Sequence, residues 1–181
     1  WVKTFFENTS VDSLINCFAI NDHVYDKREK IDFLNAPLES FQNSLNINVV
    51  ALYSVNRQFI KNNSSGKIIN FSSIYGYRSP RPSFYKNGFK DPAYGASKAA
   101  VSNLTKYLAV HCPGFNINCI VPGGVFNEQN SDFINAYVED LPAARMMKRN
   151  EITGLVKYLL SDDASYCTGG EYFIDGGWNA R

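Results

Sequence analysis

The chain has 181 residues, of which 45% are hydrophobic and 19% charged, and its formal net charge is +1. These values predict a single globular domain over residues 1–181 with a substantial core. The near-zero charge excludes bulk electrostatic attraction to nucleic acid or to a membrane surface, and neither a signal peptide nor an apolar run long enough to span a bilayer is recognisable.

Four cysteines are scattered along the chain without a Cys-x-x-Cys pair. Together with two histidines they form no recognisable metal-ligand spacing, so we expect no metal site. Free thiols in the reducing cytoplasm are the simplest interpretation of such cysteines. The sequence contains neither repeats nor low-complexity segments.

Apolar periodicity predicts strands and helices that alternate along the chain. In chain order the sequence predicts a helix at 1–8, a strand at 11–20, a loop at 21–36, a helix at 37–60, a strand at 67–73, a loop at 75–92, a helix at 94–112, a strand at 116–121, a weak helix in the polar segment that follows, a helix at 151–160 and a strand at 172–175. Pro37 suits the first turn of its helix, and Pro113-Gly114 suits the end of the next long one.

Strands that alternate with helices imply a parallel sheet with right-handed crossovers. In such α/β sheets ligands bind outside the carboxyl ends of the strands. Ser73 and the turn Pro122-Gly123-Gly124 both follow predicted strands. We therefore expect both to face one crevice.

Tyr94 and Lys98 stand four residues apart at the start of the predicted helix 94–112. This spacing places both side chains on one helix face, one turn apart. A lysine ammonium next to a phenol favours the phenolate and lowers the tyrosine pKa. A tyrosine tuned in this way exchanges protons near neutral pH, and a serine hydroxyl at Ser73 could bind the substrate oxygen.

From Leu14 to Trp178 the chain strongly resembles the classical short-chain dehydrogenases/reductases. The resemblance rests on several motifs in the family's order, which are Ile69-Asn70-Phe71-Ser72-Ser73, Tyr94-Gly95-Ala96-Ser97-Lys98, Pro122-Gly123-Gly124-Val125 and Asp175-Gly176-Gly177-Trp178. The chain is similar in three features to a subgroup of bacterial reductases of sugar and flagellin modification. These features are the long separation of Ser73 from Tyr94 and the segments that begin at Pro122 and Asp175.

The resemblance implies a Rossmann-like, doubly wound parallel sheet with helices on both faces. It implies the catalytic residues Asn48, Ser73, Tyr94 and Lys98, the last of which also holds the nicotinamide ribose. It further implies NAD or NADP as cofactor, with contacts from Asn16, Tyr94, Lys98, Pro122, Gly123, Gly124 and Val125. An asparagine in the middle of a helix is otherwise a poor choice, and at Asn48 the family's asparagine holds a water through its backbone.

Three features depart from the family pattern. The glycine-rich cofactor units that open the family's chain are absent from this sequence, in which Gly66 is the first glycine, so the chain corresponds to the C-terminal part of such a domain. Phe18 replaces a small residue in the family's Asn-Asn-Ala-Gly. Asn127 stands where many members have a threonine that binds the cofactor's carboxamide.

The loop from Tyr77 to Asp91 separates the candidate serine and tyrosine and carries four cations against one acid, with Arg78, Arg81, Lys86 and Lys90 as the cations. By topology it borders the crevice, so it predicts an anionic small-molecule substrate such as a sugar acid or a nucleotide-linked sugar. The planar guanidinium of arginine can form two hydrogen bonds with one acid group, so Arg78 and Arg81 are better candidates for binding the substrate than the two lysines. Tyr85 is either a lid residue or an exposed aromatic, and a solvated loop without ligand contact is the competing interpretation.

Structural alternatives accompany the other assignments. Ser73 could cap a turn, Asn16 could end a strand, and Asn48 could be a helix-surface amide. Gly123 and Gly124 could serve as turn formers alone.

Two expectations concern the whole molecule. Helices 37–60 and 94–112 carry apolar residues off their main stripes, namely Val50, Val55, Ala100 and Tyr107. The resemblance implies a homodimer or homotetramer that pairs these helices about a two-fold axis. The leading function is an NAD(P)-dependent oxidoreductase, and the alternative is a non-catalytic remnant or partner subunit without the glycine-rich loop.

Overall fold

A computed structural model describes residues 2–21, 33–85 and 88–180 of the chain, together with the backbone of residues 24–26. Four parallel strands form its main sheet in the order β1-β3-β5-β6, which are Ser13–Asn16, Gly66–Phe71, Phe115–Pro122 and Glu171–Ile174. The predicted parallel α/β sheet is therefore confirmed. The central strand β5 is buried along most of its length, as expected for a parallel strand covered on both faces.

The helices cover both faces of this sheet. They are α1 Val2–Asn8, α2 Leu38–Leu45, α3 Leu52–Asn62, α4 Pro92–His111, α5 Ser131–Val138 and α6 Thr153–Leu160. On one face Phe6, Phe59 and Leu108 pack against Ile68 and Ile117. On the other face, Leu159 and Ala164 pack against Ile69 and Ile120, because successive residues of a strand point to opposite sides.

The predicted helix 37–60 forms over nearly that range, but its middle is not α-helical. A π-helical stretch, Asn46–Ala51, joins α2 to α3. π-helical stretches are rare in proteins, and those that do occur often lie at functional sites. Asn48 lies within it.

Helix α4 begins two residues before the predicted start. The side chain of Asp91 accepts a hydrogen bond from the Ala93 amide at 2.7 Å, and Pro92 occupies the first turn. An N-cap carboxylate followed by proline is a strong start signal. The backbone after Asp91 is therefore helical well before Tyr94.

A second, two-stranded sheet was not predicted. Strand β2, Val24–Asp26, pairs antiparallel with β4, Gly88–Lys90, so that Val24 faces Lys90 in register. The prediction that both segments are loops is wrong, because strands of three residues carry too little periodicity to be recognised. The pairing fixes the backbone that leads into α4.

Candidate active site

A crevice of about 870 Å³ opens at the carboxyl ends of β3 and β5, where the sequence predicted it. Its walls combine polar groups with aromatic rings, and its lining residues include Asn21, Ser73, Tyr75, Tyr85, Lys90, Tyr94, Pro122, Gly123, Gly124, Val125, Gln129, Asn130, Asp132, Phe133 and Tyr137. Ser73, Tyr94 and the turn 122–125 therefore share one cavity.

Ser73 follows β3 in an extended conformation, with φ −162° and ψ 155°. Its Oγ accepts a hydrogen bond from the Tyr75 amide at 3.2 Å and so caps the short 3₁₀ turn Ile74–Gly76. The capping alternative is thus present in the structure. It leaves the hydroxyl hydrogen of Ser73 able to interact with Tyr94, whose pKa Ser73 lowers, because a hydroxyl group can donate and accept at once.

Tyr94 and Lys98 lie on successive turns of α4, as their spacing predicted. Lys98 is only 3% exposed. Its Nζ donates to the carbonyl oxygen of Phe71 at 2.8 Å and lies 5.8 Å from the centroid of the Tyr94 ring. The buried ammonium is therefore anchored on the last residue of β3, beside the tyrosine.

Burial dominates the ionisation of both groups. It raises the pKa of Tyr94, and the hydrogen bond with Ser73 only partly offsets this. Burial also lowers the pKa of Lys98 to about 8. The expectation that Lys98 lowers the Tyr94 pKa is therefore wrong for this chain by itself, because both groups are desolvated and the ammonium is bound to the Phe71 carbonyl.

Close packing joins α4 to the turn that carries Ser73. A Cβ atom on Gly95 would lie 2.8 Å from the carbonyl oxygen of Tyr75, and one on Gly76 would lie 2.9 Å from the amide of Ala99. Ser72 Oγ also donates to the carbonyl of Lys98 at 2.8 Å. Glycines at both positions let the two backbones approach closely enough to bring Ser73 to Tyr94.

Asn48 has a buried side chain with three hydrogen bonds. Its amide group exchanges two of them with the backbone of Ile20, at 2.8 and 2.9 Å, and donates a third to Ser97 Oγ at 3.0 Å. Ser97 Oγ in turn donates to the carbonyl of Tyr94 at 2.8 Å. The structure therefore places Asn48 inside the molecule, linking the segment after β1 to the first turns of α4, and not on the helix surface.

Asn16 lies at the end of β1 and outside the crevice lining. Its Nδ2 donates to Asn56 Oδ1 at 2.7 Å and to Asn70 Oδ1 at 2.8 Å, which uses both hydrogens of the amide. Asn70 Nδ2 donates onward to Thr105 Oγ1 at 3.0 Å. The Asn16 side chain thus belongs to a buried network between β1, β3, α3 and α4, and the structure does not bring it to the cofactor-binding candidates.

The turn after β5 is built around its glycines. A Cβ on Gly123 would lie 2.8 Å from the Cα of Asp175, so only glycine lets this turn lie against the end of β6. The Gly124 amide donates to Tyr137 Oη at 2.6 Å. The turn is therefore tied on one side to β6 and on the other to α5.

The residue that departs from the family pattern, Asn127, faces away from the crevice. Its Oδ1 accepts a hydrogen bond from Arg149. Gln129, which the sequence analysis did not single out, lines the crevice instead and bonds to the Asn127 amide at 2.7 Å and the Val125 carbonyl at 2.9 Å. In the sequence, only its position two residues after Asn127 indicated that Gln129 could lie at the crevice.

The two favoured arginines do not reach the crevice. Arg78 donates to Asn179 Oδ1 at 3.1 Å. Arg81 pairs with Asp140 at 2.5 Å and stacks over the Trp178 ring at 5.3 Å. The structure does not bring either to Ser73 and Tyr94, because each has a partner near the C-terminal segment.

Of the other loop residues named from the sequence, Tyr85 and Lys90 do line the crevice. Tyr85 hydrogen-bonds through its hydroxyl to that of Tyr75 at 3.2 Å, so it is a wall residue and not an exposed aromatic. Lys86, the remaining cation, lies outside the described residues. Lys90 stands four residues before Tyr94, the same spacing that identified Lys98, and this signal was available in the sequence.

A family model described as enoyl-(acyl carrier protein) reductase matches residues 2–179. The post-translational flagellin modification protein A of Campylobacter coli is 30% identical over 156 residues, which cover 82% of this chain and 61% of that protein. The 2-dehydro-3-deoxy-D-gluconate 5-dehydrogenase of Bacillus subtilis is 30% identical over 192 residues, covering 97% of this chain and 68% of that protein.

Among solved structures, a short-chain dehydrogenase of Leptospira borgpetersenii with bound NAD+ superposes with a TM-score of 0.88 at 31% identity, covering 98% of this chain and 70% of that one. A protein of Beutenbergia cavernae, assigned as an NAD(P)-dependent gluconate 5-dehydrogenase and solved with NADP at low occupancy, gives 0.84 at 26% identity, covering 99% and 71%. The chain spans roughly 60–70% of the length of the relatives named here.

Proposed function

Because the chain belongs to the short-chain dehydrogenase/reductase family, we propose that it moves hydride between a nicotinamide cofactor, NAD or NADP, and a carbonyl or secondary alcohol. The observation that carries this proposal is the convergence of Ser73, Tyr94 and Lys98 at one crevice. A hydroxyl, a phenol and a buried ammonium side by side suit proton transfer to an oxygen atom that gains charge. They favour this function over that of a non-catalytic partner subunit, which has no need of a desolvated lysine at that place.

The residues around the crevice fit the nicotinamide end of the cofactor. The turn Pro122–Val125 lines the crevice next to Tyr94, and its Gly123 has no room for a side chain. Lys98 Nζ reaches the end of β3, where the ammonium would meet the ribose. The bound cofactor supplies or accepts the hydride, and we assign Pro122, Gly123, Gly124, Val125, Tyr94 and Lys98 to its binding, leaving out Asn16.

In the reductive direction Tyr94 donates its proton to the oxygen that was the carbonyl. Its raised pKa keeps the phenol protonated at neutral pH, which is the form that a proton donor needs. Ser73 donates a hydrogen bond to the same oxygen and stabilises the developing charge. Asn48 positions the first turns of α4 through Ser97 and, by the family's pattern, a water in the proton path.

The substrate we propose is a small molecule, a sugar or nucleotide-sugar derivative. The crevice offers several side chains that bind hydroxyl groups, including Asn130, Asp132 and Gln129. The names of the flagellin-modification and gluconate relatives support the same class.

We also propose a homo-oligomer that pairs the helices of residues 38–62 and 92–111. Val50 and Tyr107 are 58% and 55% exposed on their outer faces. Val55, which the sequence placed off the stripe, instead packs against the core cluster around Phe59.

No helix in the described part of the chain is long and apolar enough to cross a membrane.

Tyr94→Phe tests the activity. We expect turnover to fall by about 10²–10⁴-fold, because general acid–base catalysis contributes that much. Steady-state kinetics are measured together with circular dichroism and cofactor titration, which should remain unchanged. Tyr166→Phe, at a fully exposed tyrosine, is the matched control. A Tyr94→Phe enzyme with the kcat of the wild type would remove Tyr94 from the mechanism.

A further inference from the structure

Lys90 is held in place from both sides. Its backbone pairs with Val24 in the β2–β4 ribbon, and the next residue, Asp91, caps α4. A lysine between a strand pair and a helix cap has less backbone freedom than one in a solvated loop. The ribbon and the cap therefore restrain the backbone of Lys90 at the edge of the crevice.

Two lysine ammonium groups lie close to the ring of Tyr94. Lys90 Nζ lies 5.2 Å from the ring centroid, and Lys98 Nζ lies 5.8 Å from it. Both distances are within the range of cation–π attraction. The two lysines differ in their surroundings, because Lys98 is buried against Phe71 whereas Lys90 lines the crevice and donates to Asn21 Oδ1.

We propose that Lys90 binds a carboxylate of the substrate beside the reacting carbonyl or alcohol. The inference rests on the proposed function, in which Tyr94 and Ser73 bind the reacting oxygen. An ammonium over the face of Tyr94 places the acid group within a few bonds of that oxygen. The substrate class is accordingly a hydroxy acid or oxo acid with further hydroxyl groups, which narrows the class proposed above to sugar acids and leaves out the nucleotide-linked sugars.

The charges around the crevice favour a carboxylate over a phosphate. Among the lining residues that the structure describes, Lys90 is the one cation and Asp132 the one anion. A crevice lined by one ammonium and one carboxylate suits a monoanion better than a phosphate or pyrophosphate, for which proteins usually combine several donors. Arg78 and Arg81 add nothing here because both are bound elsewhere. Asp132 is suited to accept hydrogen bonds from substrate hydroxyls.

The test compares the wild type with Lys90→Met, which keeps most of the length of the side chain and removes its charge. Calorimetry measures the binding of a panel of aldonic, uronic and 2-oxo sugar acids, and of the neutral alditols of the same length, to the full protein saturated with NAD or NADP. KM is measured for each compound that turns over. Lys61→Met, at an exposed lysine of α3, is the matched control for loss of one charge.

We expect Lys90→Met to raise the Kd and KM of the acids about 10- to 100-fold, since a hydrogen bond to a charged group has that effect. The neutral alditols, the cofactor and the Lys61→Met variant should show no change. Three results would overturn the proposal. They are acids that do not bind the wild type, equal losses for acids and alditols, and inorganic phosphate that binds more tightly than every acid.

The same experiment separates this site from the activity. Acid binding that depends on Lys90 without any cofactor turnover would refute hydride transfer and support the anion site. Turnover of neutral carbonyl compounds by a protein that binds none of the acids would support hydride transfer and refute the anion site.

Discussion

Tyr94 and Lys98 illustrate how burial sets the chemistry of single residues. The pKa of Tyr94 is raised, so the phenol keeps its proton, and the pKa of Lys98 falls to about 8 because its ammonium is desolvated. A buried charge is costly unless it is paired with an opposite charge, and the partner that the structure gives the Lys98 ammonium is a neutral group, the carbonyl oxygen of Phe71. Lys98 therefore lowers the stability of the folded state at neutral pH, while its ammonium lies next to Tyr94.

This cost predicts a pH-dependent effect of Lys98→Met on stability. Below pH 8 the lysine is protonated in both the folded and unfolded states, and the wild type bears the full cost of burial. Between pH 8 and its reference pKa of 10.5 the unfolded state binds more protons, so wild-type stability rises with pH. The shift corresponds to about 3 kcal/mol, reduced by about 1 kcal/mol for the lost hydrogen bond.

Urea unfolding of both proteins at pH 7 and at pH 9.5, without cofactor, measures the difference. We expect Lys98→Met to be more stable than the wild type at pH 7 and to lose most of that advantage by pH 9.5. The tyrosines that titrate at high pH are common to both proteins and cancel. A difference that does not change with pH would show that the native lysine is not desolvated.

At the scale of elements, α4 depends on two close approaches of backbone. Gly76 and Gly95 leave no space for a Cβ between α4 and the turn after β3. The π-helical stretch Asn46–Ala51 carries Asn48, whose amide fixes the first turns of α4 through Ser97. The separation of Ser73 from Tyr94 is therefore set by how three elements pack, and small shifts in α4 should reduce activity.

Gly95→Ala tests this packing. Its Cβ would lie 2.8 Å from the Tyr75 carbonyl oxygen, so α4 must move, and we expect a loss of about 1–3 kcal/mol in stability together with reduced kcat. Gly154→Ala is the matched control, because nothing lies within 4 Å of its Cβ and alanine in a helix gains about 1 kcal/mol over glycine. Thermal unfolding measures the stability of both variants, and steady-state kinetics measure their kcat. If both variants are stabilised and remain fully active, the packing of α4 does not set the site.

At the scale of the whole molecule, the outer faces of the long helices are more apolar than a solvated surface requires. Tyr53 and Val50 are exposed on one, and Tyr107 and Val110 on the other. Tyr107 stacks on His111 with ring centroids 4.0 Å apart. Exposed apolar groups on neighbouring helices suit a protein–protein contact, and a second copy of the chain is the partner we propose.

Val110→Glu, at a residue that is 78% exposed, should weaken this contact. A carboxylate buried in an apolar two-fold interface occurs twice, once in each copy, and its desolvation is costly, so we expect the molar mass to fall toward that of the monomer. Light scattering at micromolar concentration measures it, with Tyr166→Glu as an exposed control outside the two helices. A wild type that is monomeric at this concentration would refute the proposed oligomer.

Local signals in the sequence determined much of the protein. The alternation of strands and helices, the parallel sheet and the crevice at its carboxyl edge followed from periodicity and chain order, because those depend on neighbouring residues. The spacing of Tyr94 and Lys98 placed both on successive turns of α4. Ser73 and the turn Pro122–Val125 followed because parallel strands end at one edge.

The tertiary structure alone decided which polar groups meet. It paired β2 with β4, which lie more than 60 positions apart, and so brought Lys90 to the crevice, while Arg78 and Arg81 found partners near the C-terminal segment. It also enclosed Asn16 in a buried amide network and reversed the expected direction of the Tyr94 pKa. The partners of a long side chain depend on which residues the fold brings near it, and its desolvation depends on the whole surrounding structure. Neither the partners nor the desolvation can therefore be obtained from residue spacing.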